Sequence, residues 1–243
     1  MTDETPDRLV PARIEVCPCC GSRSFDFSPV IWPGLAAEWG LSIEERECVD
    51  RQQGVVCTKC GNNLRSLALA KAILCAEGSK GNFVRFLRSP KAWWLKLLEI
   101  NPAGTLTKHL ARMPRRILAE YPEIDIHRLP YRSDRFDLVV HSDTLEHVPD
   151  PVRGLRECLR VLKPGGFCCF TIPIVVGRLT RSRAGLPASY HGGQNVTKGD
   201  FLVHTEYGSD FWLQVFEAGF VECRLVSSEF PSAQAIAARK SRG

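Results

Sequence analysis

Between residues 94 and 172 the chain alternates short, densely apolar runs with stretches whose apolar positions recur every three or four residues. The dense runs, at 94–100, 116–119, 136–140 and 167–172, predict strands. "FDLVV", from Phe136 to Val140, is apolar at nearly every position, as a strand buried on both faces of a parallel sheet requires. The periodic stretches predict helices at 105–113 and 152–162, the second placing Val152, Leu155, Leu159 and Leu162 on one face. Lys163-Pro164-Gly165-Gly166 stops that helix. Strands alternating with helices predict an α/β domain with a doubly wound sheet, in which ligands sit beyond the carboxyl ends of the strands.

Upstream, residues 62–89 read as helical, with Leu64, Leu67, Ala68, Lys71, Ala72 and Cys75 on one mostly apolar face. Leu41-Ser42-Ile43-Glu44-Glu45 has the form of a helix start, Ser42 capping and Glu45 three residues on. Residues 173–205 form a long connection rich in Gly, Arg and Ser, the length expected of a lid or binding loop. Its Arg178, Arg181 and Arg183 are candidates to bind an anionic substrate, or else solvated surface charges.

Composition narrows the class. With 243 residues, 44% apolar and 24% charged, the chain can bury a full core and reads as a soluble globular protein. No apolar stretch could span a bilayer and "MTDETPD" does not read as a signal peptide, so no membrane role and a cytoplasmic location are expected. The net charge of +5 permits a nucleic-acid partner without calling for one. Oligomeric state leaves no mark on the sequence.

The eleven cysteines, an odd number with six in the first 60 residues, argue against a disulfide framework. Cys17-Pro18-Cys19-Cys20-Gly21 and Cys57-Thr58-Lys59-Cys60-Gly61 are two CxxCG knuckles. Cys17, Cys20, Cys57 and Cys60 together supply the four thiolates of a closed tetrahedral zinc site, which leaves no open position for water and so favours a structural metal. Cys19 and Cys48 are spare, as packing residues or alternative ligands. The chain thus divides into a zinc-binding module (1–61), a helical connection (62–92) and an α/β domain (93–243).

The ends of the predicted strands carry polar residues: Glu99 and Asn101 after the first, Glu120 after the second with Asp125 close by, and His141-Ser142-Asp143 after "FDLVV". Acids about twenty residues apart, Glu99 and Glu120, suit carboxylates that hold the hydroxyls of a nucleoside, although Glu120 also reads as a solvated strand end.

The segment "DIHRLPYRSDRFDLVVHSDTLEHVPDPVRGLRECLRVLKPGGFCCFTIP" resembles the central motifs of the class I S-adenosylmethionine-dependent methyltransferases, in the group with small-molecule and ubiquinone-type members. The likeness runs from about residue 94 to 226 and takes in "FWLQVFEAGF", a helix closing on Gly219. It implies a Rossmann-like methyltransferase sheet and S-adenosylmethionine as cofactor. The amino-terminal zinc module joined to such a domain is similar to a bacterial subgroup. The resemblance makes "LEINPAG" the cofactor loop, with Asn101, Ala103 and Gly104 where the family usually has three glycines. By the same likeness Glu99, Asn101, Gly104, Glu120, Asp125, Ile126 and His141 would bind cofactor, Glu120 holding the ribose and Asp125 with Ile126 meeting the adenine. Only five positions separate Glu120 from Asp125, so the helix that normally joins the second and third strands is missing or reduced to a turn.

Methyl transfer needs a positioned nucleophile and, for an oxygen or nitrogen acceptor, a group that removes a proton. His147 sits where a histidine handles protons in the phosphobase methyltransferases that this segment resembles; it is the expected general base, with a helix-capping or supporting role as the alternative and His191 and His204 next in line. The leading function is a methyltransferase acting on a small-molecule or sugar-like acceptor. The competing ones are an RNA methyltransferase that grips its substrate with the zinc module, and a binding protein that kept the fold without catalysis.

Overall fold

The computed structural model describes residues 13–190 and 201–243. Its first elements are β1 (Phe25–Phe27), α1 (Pro33–Glu38), α2 (Ile43–Gly54) and β2 (Val55–Cys57). β1 and β2 pair antiparallel with Phe25 opposite Cys57. α2 opens on the expected capping box: Ser42 Oγ accepts from the Glu45 N–H, and the Glu45 carboxylate accepts from the Ser42 N–H. At its far end a Cβ on Gly54 would lie 2.1 Å from the Ser28 carbonyl oxygen, an approach only glycine allows.

Three helices follow, α3 (Leu64–Ala76), α4 (Phe83–Phe86) and α5 (Pro90–Trp94). α3 departs from its expected single stripe. Leu69, Ala70, Ile73 and Leu74 are buried along with Leu64, Leu67, Ala68 and Ala72, while Lys71 and Cys75 are exposed. The helix is wedged between the cysteine module and the sheet, so most of its circumference is covered.

The α/β part comprises β3 (Leu97–Ile100), α6 (Thr107–Leu110), β4 (Arg116–Ala119), β5 (Phe136–Ser142), α7 (Pro151–Val161), β6 (Leu162–Thr171), β7 (Ile174–Val175), β8 (Arg181–Ser182), β9 (Thr205–Gly208), α8 (Trp212–Glu217), β10 (Glu222–Glu229) and β11 (Ala233–Arg239). Six strands form one sheet in the order β10-β11-β6-β5-β3-β4. β6, β5, β3 and β4 run parallel, and β11 is antiparallel to both its neighbours. The expected α/β, Rossmann-like sheet is present.

Three boundaries differ from expectation. Trp94 ends α5 rather than opening a strand. Lys163-Pro164-Gly165-Gly166 lies within β6, where the register slips between the Phe136–Leu162 and Leu138–Phe167 pairs, so the proline sits in a bulge. The connection after β6 is not plain loop, since β7, β9 and β8 pair as a small second sheet. As the short spacing predicts, no helix follows β4, and among the described residues the parallel sheet ends there. A parallel crossover needs a dozen or more residues, and the chain instead makes a 3₁₀ turn over Ile126–Arg128, capped by Asp125.

The sheet buries Leu97, Leu138 and Val140 against α3, and Leu98, Ile100 and Val139 on the side of α7 and α8. The α3-side core runs without a break into Cys17, Cys19 and Cys57. The cysteine module and the sheet share one hydrophobic core.

Candidate active site

The loop after β3 is shaped by two left-handed residues, Asn101 at φ 54° and Gly104 at φ 56°. Asparagine is among the few non-glycine residues that adopt this conformation readily. Its Oδ1 also accepts the Tyr121 N–H at 2.9 Å, tying the loop to the end of β4. Glu99 braces the turn from beneath. Fully buried, its carboxylate accepts the Ala103 N–H at 2.9 Å and the Thr107 hydroxyl at 2.7 Å, and pairs with Arg116. Glu99 therefore supports the loop and does not line the site.

Beyond the strand ends lies a cavity of about 1340 Å³. Asn101, Gly104, Glu120, Asp125 and Ile126 all border it. Asp125 Oδ1 accepts the His127 N–H and lies 2.9 Å from His127 Nδ1, while Ile126 packs where Gly154 leaves room on α7. His141 is a correction. β5 continues through Ser142, so His141 is not beyond the strand but within it, and its side chain faces the core. Its ring stacks on Phe170 at 4.8 Å, and burial pushes its pKa down to about 3, so it is neutral.

The 3₁₀ turn Leu145–His147 also borders the cavity, through Glu146 and His147. His147 Nδ1 lies 3.1 Å from the Leu202 carbonyl oxygen. A carbonyl can only accept, so in the neutral ring Nδ1 carries the proton and Nε2, 3.8 Å from Glu146 Oε1, is the basic nitrogen. Burial holds the imidazole pKa below its ordinary value. Glu146 is fully buried, and burial, then the neighbouring Asp143 charge, push its carboxyl well above the usual carboxylate range. Asp143, itself left-handed at φ 48°, pairs with Arg65 from α3. Glu146 and Arg65 also border the cavity. Nothing in the local pattern marks Arg65, which reaches the site only through the packing of α3.

Arg178 and Arg181 border the cavity, but neither they nor Arg183 stands there as an uncommitted cation. Arg178 pairs with Glu45, and Arg181 and Arg183 both pair with Glu206. His204 borders the cavity, whereas His191 lies outside the described residues. The least expected wall comes from the segment between the knuckles, where Ile31, Trp32, Leu35, Trp39, Leu41 and Val49 face the same space. Two tryptophans seven positions apart, in a module too small to bury them alone, are the signal that could have revealed it.

In the cysteine module, Cys17 Sγ lies 3.6 Å from Cys60 Sγ and Cys20 Sγ 3.7 Å from Cys57 Sγ. All four sulfurs fall within 4.8 Å of one another. A tetrahedron of zinc–thiolate bonds of about 2.3 Å requires sulfurs about 3.8 Å apart, so the quartet fits zinc. Each knuckle closes on a left-handed glycine, Gly21 or Gly61, whose N–H donates at 2.8 Å to the carbonyl of Cys17 or Cys57. Cys19 stands outside the quartet, fully buried, and accepts from Asn62 Nδ2 at 3.2 Å. Cys48 joins no such group among the described residues, none of whose eleven cysteines forms a disulfide.

Residues 78–170 match the family model described as a methyltransferase domain. The chain is 30% identical over 135 residues to a 2-phytyl-1,4-naphtoquinone methyltransferase of Synechococcus elongatus, covering 56% of this chain and 49% of that protein. It is 48% identical over 52 residues to 2-methyl-6-phytyl-1,4-hydroquinone methyltransferase 1, chloroplastic, of Oryza sativa subsp. japonica, covering 21% of this chain and 16% of that one. The chain thus spans half or less of the length of these relatives. A solved SAM-dependent methyltransferase from Methanosarcina mazei is 15% identical with a TM-score of 0.40, covering 64% of this chain and 99% of that one.

Proposed function

We infer that this chain, which carries a class I S-adenosylmethionine-dependent methyltransferase domain, transfers a methyl group to a small molecule and holds one structural zinc. The observation that carries this reading is one cavity with two chemically different sides. The loop of Asn101 and Gly104 and the carboxylates of Glu120 and Asp125 border one side, and His147 borders the other. At about 1340 Å³ the cavity exceeds the roughly 300–1,000 Å³ of a pocket for one small ligand, which suits a cofactor and an acceptor together.

S-adenosylmethionine, when bound, supplies the electrophilic methyl group. On the protein side, Glu120 at the end of β4 offers a carboxylate to the ribose hydroxyls, and Ile126 an apolar contact to the adenine. Asn101 and Gly104 keep the backbone low enough for the ligand to pass. His147, neutral and fixed in one tautomer by the Leu202 carbonyl, takes the proton from an acceptor hydroxyl or amine through Nε2. The zinc, in a site filled by four thiolates, contributes to folding and not to the reaction. Eleven unpaired cysteines suit a reducing compartment such as the cytoplasm. The pairing of Arg178, Arg181 and Arg183 with carboxylates weighs against RNA gripped by that segment.

Calorimetry with S-adenosylmethionine, followed by incubation of the loaded protein with a metabolite extract and labelled cofactor, tests the reading. Binding with transfer of label to a small molecule is expected. Failure to bind S-adenosylmethionine would overturn it.

A further inference from the structure

The segment between the two knuckles is longer than a compact metal ribbon needs, and the metal does not account for it. Its helix α1, the turn after it and the later part of α2 border the cavity, and the segment is fastened there at two points. Arg178, from the connection after β6, donates through Nε to Glu45 Oε1 at 2.7 Å and through Nη2 to the Gly40 carbonyl at 2.6 Å. The same Glu45 closes the capping box of α2, so one carboxylate fixes both the helix start and the fastening. Ser189, buried, accepts from Trp39 Nε1 at 3.1 Å and donates to Glu38 Oε1 at 2.9 Å.

Held in this way, Trp32, Leu35, Trp39 and Leu41 turn an apolar and aromatic surface to the cavity, with Ile174 and Tyr207 also bordering it. The cations nearby are already neutralised, Arg178 by Glu45, Arg65 by Asp143, and Arg181 and Arg183 by Glu206. An anionic acceptor would find no uncommitted arginine among these. Gln52 and Gln53 of the same segment also border the cavity, yet a sugar-like acceptor laid on Trp32, Leu35, Trp39 and Leu41 would press hydroxyls against apolar surface, and each hydroxyl left without a partner is costly to desolvate. A flat apolar ring bearing a single ionisable hydroxyl suits both the wall and a histidine base.

We propose that the segment between the knuckles is the acceptor-binding wall of the site, fastened by Arg178–Glu45 and Trp39–Ser189–Glu38, and that it selects a neutral, flat, apolar acceptor such as a polycyclic phenol. The proposal rests on the methyltransferase reading for the word acceptor, but not for the binding itself. The test is calorimetric titration of 2-naphthol into the full-length protein, with and without S-adenosylhomocysteine, with methyl glucoside and naphthyl phosphate as comparisons.

2-Naphthol is expected to bind, and the glucoside and the phosphate to bind at least tenfold more weakly. Trp32→Ala, which removes wall surface without touching the fastening, should weaken 2-naphthol about tenfold. Glu45→Ala should do the same and raise amide exchange across residues 30–41. Both variants should hold S-adenosylhomocysteine within twofold of the parent. Absence of 2-naphthol binding, equal binding of the glucoside or phosphate, or unchanged 2-naphthol affinity in a folded Trp32→Ala protein would overturn the proposal. Failure of S-adenosylhomocysteine alone, with 2-naphthol still bound through the wall, would overturn the methyltransferase reading and leave the wall intact.

Discussion

His147 shows how a single side chain is tuned by its surroundings. The Leu202 carbonyl sets its tautomer, and burial lowers its pKa, with the Asp143 charge pulling the other way and His204 reinforcing the drop. The neutral imidazole is the form that accepts a proton. Turnover should therefore persist below the ordinary histidine range and fall only as the pH drops through the lowered value, where the ring becomes charged. His147→Ala should cost about 10²–10⁴-fold in turnover while leaving cofactor affinity nearly unchanged. Normal turnover of the variant across the pH range would remove His147 from the role of base and pass it to His204. Elsewhere on the cavity, Glu120→Ala should weaken S-adenosylmethionine by roughly 1.5–3 kcal/mol, the range for hydrogen bonds to a charged group. An unchanged dissociation constant would reassign the ribose acid.

At the scale of elements, the turn from β3 into α6 depends on what lies beneath it. The buried Glu99 carboxylate joins β3, the Ala103 amide, Thr107 at the start of α6 and Arg116 at the start of β4. Glu99→Ala would leave the Arg116 guanidinium buried without its partner, at a cost of about 3–5 kcal/mol. Denaturant unfolding should show that loss, and the weaker cofactor binding that goes with a loosened loop should appear in the same protein. Stability within 1 kcal/mol of the parent would mean that water replaces the carboxylate. The expected Rossmann-type strands and helices are mostly in place because their apolar periodicity is strong: β4 lies where residues 116–119 predict it, and α7 within one residue of the expected 152–162. The edges moved where packing overrode local pattern, as at Trp94, which reads as strand and ends a helix.

For the molecule as a whole, the cysteine module and the sheet are one packed body, since the core from Cys17 and Cys57 passes through α3 to Leu97 and Val140. Metal binding free energy should therefore support the whole fold. About one zinc per chain is expected from elemental analysis of protein purified without chelator. Cys57→Ser, or removal of the metal, should lower the Tm in a single transition, with no separate melting of the module. Protein without zinc, or two resolved transitions, would contradict this.

The sequence by itself determined the class of the fold, and it picked out the four cysteines that cluster and the strand-end residues that border the cavity. Each of these is written in local spacing: apolar period along the chain, two cysteines three apart closing on glycine, and acids and a left-handed asparagine just past a strand. It read Glu99 and His141 as ligand contacts because both lie near strand ends, whereas the structure turns Glu99 beneath the loop and His141 into the core. Which way a strand side chain faces depends on where the strand stops and what packs on it, and neither is local. The tertiary structure alone decided which distant residues complete the cavity. Trp32 and Trp39, Arg65, Glu146 and Arg178 lie far apart in the chain, and they border one cavity only because α3 carries the cysteine module onto the sheet and Glu45 fastens it to the connection after β6. Contacts of that kind follow from the close packing of one core, which no stretch of sequence contains.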